Sequence, residues 1–308
     1  MIKQYNPLVL IVAVSISLFA GLAQASGLMP FVLGSQGNNS SVKDLTASTE
    51  KSLTDNGFEI VGKYSPSQDK TVIVVTNEAL KSMAGMSKNG GFGAMQRVAI
   101  TKTASGADVT YTNPTYLWNA YRMKGDITVI QSAMEKALGN QKQFGADEAL
   151  SASDLREYHY KMMMPYFDDE DELAEHDSYK QAVATVEAGL EANQAGAKKV
   201  YRIDIPGKEM TVFGVALSHG EGADKFISDK IDGKSNSHAA HFPYEVLVVG
   251  DEVIALNGKF RIAINWPSLS MMGEGSFMSI SGAPDDIKAA LEAVANNQAL
   301  DTESDSLI

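Results

Sequence analysis

A segment repeated at the head of each half of the chain constrains its fold more than any other feature. Ser41 to Asn56 aligns without gaps on Ser178 to Asn193, and six of the sixteen positions are identical. Both copies open on a helix-start signal. Ser41 stands three residues before Asp44 and Ser178 three before Gln181, the spacing at which an N-cap hydroxyl satisfies the free amides of a first helical turn. Apolar residues then recur at helical spacing: Val42, Leu45 and Leu53 in the first copy, Tyr179, Val183, Val186 and Leu190 in the second. Asn56-Gly57 and the stretch from Asn193 to Gly196 stop the two runs.

Past each helix the period shortens to that of strands. In the first half it predicts strands at Phe58 to Tyr64, Thr71 to Thr76, Arg97 to Thr103 and Asp108 to Thr112. In the second half it predicts them at Val200 to Ile205, Thr211 to Leu217, Tyr244 to Val249 and Gly258 to Ile264. Each half closes on a helix, near Gln131 to Leu138 and Asp285 to Val294. The order predicts an α+β fold of two tandem repeats, each a small sheet with packed helices, over residues 41–139 and 178–296. Residues 140–177 have no counterpart elsewhere and read as an insertion rich in methionine and acidic side chains. Residues 26–40, with Gly34-Ser-Gln-Gly-Asn-Asn-Ser40, have the composition of a linker, and 297–308 that of a flexible polar tail.

Lys3, an apolar run from Leu8 to Leu22, and Ala23-Gln24-Ala25 before Ser26 have the form of a secretory signal peptide over residues 1–25. The mature chain is therefore expected to be periplasmic or secreted, with no stable membrane insertion after cleavage. Its stability has to come from buried core, because the sequence contains no cysteine and so no disulfide. The same count removes thiol catalysis and thiolate metal sites. The net charge is −12, and losing Lys3 with the leader takes it one further, to −13. Nucleic acid is a poor partner for such a chain, since binding it depends on neutralising phosphates with lysine and arginine.

Gly57-Phe58 after the first helix, the strand pair, and the closing run Val109-Thr-Tyr-Thr-Asn113-Pro114-Thr-Tyr116-Leu117 resemble the bacterial family called domain of unknown function 302. In the second half Phe242-Pro243-Tyr244-Glu-Val246-Leu-Val-Val249 and Asn265-Trp266-Pro267 are similar to its proline-led strand and its Asn-Pro turn. The family's histidine after the second strand is matched by His219 within Ser218-His219-Gly-Glu-Gly-Ala223, while the first half has Thr76-Asn77-Glu-Ala79 there. The resemblance implies a fold, in two divergent copies, and no particular chemistry.

Candidate sites follow from residue chemistry. Asn113 and Asn265, each at or near a proline, are expected to end strands or cap the following helix. Tyr116, Trp118, Tyr121 and Trp266 lie beside them and can line a groove with polar tips or fill the cleft between the two units. These six residues are the expected ligand-binding set of a non-catalytic binding or interaction module. The alternative is a metal-binding protein. His219, His238 and His241 offer imidazoles suited to zinc or copper. His159, Met162, Met163, Met164 and His176 offer an imidazole and thioether set suited to copper(I). No catalytic residue set emerges: there is no nucleophile elbow, and Gly90-Gly-Phe-Gly93 lacks the strand before it and the lysine after it that a phosphate loop needs. The run Asp168 to Glu172 lacks calcium-loop spacing and reads as a solvated charge run.

Overall fold

The computed structural model describes residues 27–232 and 236–300. The expected signal peptide and the last eight residues of the tail lie outside the described residues. In chain order the first half contains β1 (Phe31–Asn38), α1 (Val42–Asp55), β2 (Glu59–Ser67), β3 (Lys70–Thr76), α2 (Glu78–Ala84), β4 (Gln96–Thr103), β5 (Gly106–Thr112), α3 (Pro114–Ala120) and α4 (Thr128–Leu138). A middle segment follows with β6 (Lys142–Phe144) and α5 (Ala152–Arg156). The second half contains β7 (Asp171–Glu175), α6 (Tyr179–Glu191), β8 (Ala197–Asp204), β9 (Met210–Leu217), α7 (Asp224–Ile231), β10 (Tyr244–Val249), β11 (Glu252–Ala255), α8 (Gly258–Ala263) and α9 (Ala283–Ala295). The protein is α+β, with two antiparallel sheets and helices packed on each.

The two halves list their elements in the same order, and their strands lie in the same order in space. One sheet runs β2-β3-β4-β5-β1-β6 and the other β8-β9-β10-β11-β7, so among the described residues β6 is the strand without a counterpart. The helix caps read from the sequence hold: the Ser41 and Ser178 hydroxyls accept from the amides of Asp44 and Gln181. The β2 and β8 strands each carry a register shift near Val61 and Val200, and these irregular stretches meet. Only glycine fits at position 62 there, since a Cβ would lie 2.5 Å from the Val200 carbonyl oxygen.

Alternation of side chains sets the layers. Phe213, Val215, Val246 and Val248 pack with Val186, Leu190 and Leu291 of α6 and α9, whereas Val212 and Leu247 turn into the core that the first half builds. On the first sheet α1 and α4 take the corresponding outer position. The sheets therefore lie between two helical layers. Short turns plug the space between them from both sides. The 3-10 turn Gly90–Gly93 packs on β9 and β10, and the 3-10 turn Ala239–His241 packs on β3, β4 and β5. This explains the glycine-rich run, because a Cβ on Gly91 would sit 2.3 Å from Leu247 Cδ1 and one on Gly90 1.8 Å from the Ala84 carbonyl oxygen.

Three expectations are corrected. The predicted linker contains β1, which pairs with both β5 and β6 and buries Phe31, Val32 and Leu33. Those three apolar residues sit just ahead of the Gly-Ser-Asn stretch whose composition misled the reading. Residues Gly258 to Ile264, predicted as a strand, form α8 and its C-terminus, with the Asn257 side chain accepting from the Lys259 amide as N-cap. Asn113 ends β5 as expected, without a cap bond to α3, its amide nitrogen donating to the Met29 carbonyl and to Gln143 Oε1, each at 2.9 Å; the third correction is at Asn265. By place in the fold, the partner of the Asn113 turn is Asn257, and Asn265 follows a helix rather than a strand.

Candidate functional site

The seam between the halves is dominated by charge. Glu245, on β10, receives Arg97 Nη2 from β4 and Arg261 Nε from α8, the latter at 3.1 Å, and all three side chains are at least 98 % buried. Arg261 also donates to the carbonyls of His241 and Pro243 and, at 2.8 Å, to His241 Nδ1. An imidazole nitrogen that accepts from a guanidinium carries no proton, so His241 is the neutral tautomer whose Nε2–H faces the Tyr244 hydroxyl at 3.1 Å. Burial and the adjacent Arg261 hold its pKa well below the usual imidazole range.

Other contacts cross the same seam. Tyr64 donates to Asp224 Oδ2 at 3.0 Å, Lys70 Nζ lies 2.6 Å from Asp232 and Ser228, and the Tyr116 hydroxyl donates to the Ile264 carbonyl at 2.9 Å. Burial pushes the Asp224 carboxyl up to about 8, against hydrogen bonds from Tyr64 and the Leu217 amide that act the other way. A carboxyl raised in the folded state contributes stability that is complete below its unfolded value and is lost as pH rises. Stability is therefore expected to fall between about pH 4 and about pH 8. Asp224→Asn should flatten that slope in urea denaturation at pH 5, 6.5 and 8; an unchanged slope would assign it elsewhere.

The sequence-derived ligand set is buried. Asn113, Tyr116, Tyr121 and Asn265 are no more than 1 % exposed, Trp118 and Trp266 5 % and 4 %. They are core rather than a surface groove. The Trp118 indole donates to the Gly125 carbonyl, and Tyr121 stacks on Phe167. Trp266 alone of the six also borders one of the cavities described below.

The histidines are likewise dispersed. His219 is exposed in the loop after β9, His238 donates from Nδ1 to the Asn265 carbonyl between Phe31 and Trp266, and His241 is engaged as above. Among the described residues no three of His, Asp and Glu converge on a metal position, so the expected His219, His238 and His241 trio is not assembled. His176 is bonded to the Ala295 carbonyl. Of the acidic run, Asp168 pairs with Arg122, Glu170 with Asn89, and Asp171 with Asn257, which fastens it to the body of the protein.

Sequence reasoning missed a groove bordered by the middle segment on one side and by the chain after α8 on the other. Three cavities adjoin along it. The central one, about 620 Å³, is lined by Asp147, Glu148, Asp154, Glu157, Tyr158, His159, Tyr160 and Ser268 among others. A second of about 320 Å³ shares Asp147 and Ser268 with it and adds Phe144, His238 and Trp266. A third of about 600 Å³ shares His159 and adds Met162 to Met164, Tyr166, Asp169 and Lys259. The groove wall is pinned by the Tyr158 hydroxyl on the Ala263 carbonyl, the Tyr160 hydroxyl on the Leu269 carbonyl, and the Asp147 amide on Ser268. Among the described residues five carboxylates line it, Asp147, Glu148, Asp154, Glu157 and Asp169, against Lys259, with Lys161 nearby over the Tyr160 ring. The only signal in the sequence was that residues 140–177 differ from everything in the second half.

The fold and seam define an α+β protein of two similarly ordered halves closed on a buried ionic cluster. No protein-family model, curated protein or solved structure matches the chain. Among the described residues no helix is long and apolar enough to cross a membrane.

Proposed function

We propose that the chain is an exported, non-catalytic binding protein of the bacterial periplasm, built by duplication of an α+β unit like that of the domain of unknown function 302 family. The groove between residues 144–169 and the chain after α8 is its ligand site. The duplication is supported by the matching order of elements and strands, the two equivalent caps and the sixteen-residue sequence match. One observation carries the ligand site: three cavities adjoin through His159, Asp147 and Ser268 along the one segment the second half does not repeat. Tyr158, Tyr160 and Tyr166 supply flat apolar faces with polar tips, the composition of recognition surfaces. The carboxylates select for positive charge, and a long groove suits an extended ligand such as a basic peptide or a polyamine.

A fluorescein-labelled tetralysine peptide is the probe. Its anisotropy should rise on binding at low ionic strength, and Glu148→Lys with Glu157→Lys should weaken binding at least tenfold while leaving the fold intact. Equal affinity of the native and doubly substituted proteins would sink the reading.

A further inference from the structure

Among the described residues nine large apolar side chains are exposed, and six of them are methionine: Met86, Met162, Met163, Met271, Met272 and Met278. A surface chosen for apolarity would use leucine, isoleucine or phenylalanine equally well. What methionine adds is a sulfur lone pair, and in a chain without cysteine the thioether is the only sulfur ligand present.

Two of these methionines are placed beside an imidazole. Met162 and Met163, 86 % and 97 % exposed, follow His159 by three and four residues. The segment from Lys161 to Met164 closes a turn, with the Met164 amide donating to the Lys161 carbonyl at 3.0 Å. Met163 occupies the left-handed region at φ 70°, which a side chain adopts at a cost. His159 stacks on Tyr166 with ring centroids 4.7 Å apart, which fixes its plane. Tyr160, between them, ties the segment to the second half through the Leu269 carbonyl and a stack on Phe277. His159, Met162, Met163 and Met164 all line the same cavity of about 600 Å³.

We propose that His159 with the thioethers of Met162, Met163 and Met164 forms a binding site for a soft monovalent d10 cation, copper(I) or silver(I). Thioether and imidazole are neutral, polarisable donors that favour such an ion over zinc, which prefers thiolate, carboxylate or several imidazoles. Asp169 in the same cavity supplies negative charge to a cation whose ligands supply none. The site lies in the third cavity of the groove, but it rests on the donor atoms of that cavity and not on the groove's function.

Silver(I), added as the nitrate in chloride-free buffer, is the redox-inert probe. The expected result is that one equivalent shifts the methyl ¹H–¹³C signals of Met162, Met163 and Met164, and that Met162→Leu, Met163→Leu and Met164→Leu together weaken binding at least tenfold in chelator competition. Zinc at the same concentration should leave those methyls unmoved. Unmoved methyl signals with silver, equal affinity of the triple variant, or loss of binding only in Met271→Leu with Met272→Leu would each overturn the assignment. Leucine is close to methionine in volume and two of the three sites are exposed, so the triple variant is expected to fold, which circular dichroism checks. Silver binding is also measured on Glu148→Lys with Glu157→Lys, whose substituted residues line the central cavity and not the methionine one; its retention where tetralysine binding is lost makes failure of one reading distinguishable from failure of the other.

Discussion

Glu245→Ala is expected to destabilise the protein by about 3–5 kcal/mol, because it strands two buried guanidinium groups that pair with no other carboxylate among the described residues. Arg97 comes from the first half, and Glu245 and Arg261 from the second, so the loss should loosen the contact between halves as well as the second sheet. The buried ions are not expected to be a large net source of stability, since taking three charged groups out of water costs nearly as much as their pairing returns. Replacing all three by apolar residues, Arg97→Met, Glu245→Leu and Arg261→Met, should therefore cost less than Glu245→Ala alone. Urea denaturation of the two variants makes the comparison. If the triple variant proved the less stable, the network would be a main source of cohesion rather than a device that fixes how the halves meet.

Trp266→Ala is expected to be comparably damaging, at about 3–5 kcal/mol, as for other large aromatic residues removed from packed cores. The indole is 4 % exposed and lies against His238 and His241 at 5.2 and 4.6 Å between ring centroids, so its loss opens a void in the column joining Phe31 to Tyr244. The protein has two tryptophans, and both should emit as buried indoles, shielded from acrylamide. A mild loss of stability or ready quenching would restore the aromatic cluster to the surface role its sequence suggests.

What was legible in the sequence was whatever local chemistry decides. Ser41 and Ser178 announce helix starts because an N-cap is set by one side chain and an amide three residues on, and both caps form. Val72 to Val75 and Val246 to Val249 are strands because continuous apolar runs suit sheets covered on both faces. The strand β1 was obscured since its burial depends on β5 and β6, more than sixty residues on, while its own composition is that of a loop. Helix α8 was obscured because Arg261-Ile-Ala-Ile alternates like a strand, and only the tertiary pairing of Arg261 with Glu245 explains a charged residue facing inward. Of the aromatic residues, Tyr116 and Tyr121 meet the second half at the Ile264 carbonyl and the Phe260 ring while Trp118 bonds within its own half, and sequence cannot distinguish a filled cleft from an open one. The groove was missed because its walls come from segments a hundred residues apart, joined by single hydrogen bonds such as Tyr158 to Ala263.

Hydrogen–deuterium exchange with tetralysine peptide reads directly where a ligand meets this protein. The expected result is protection of residues 144–169 and of the chain from Trp266 to Leu269, with the buried seam around Glu245 unchanged in its already slow exchange. Protection confined to other surfaces, or none at peptide concentrations that saturate the anisotropy signal, would contradict it.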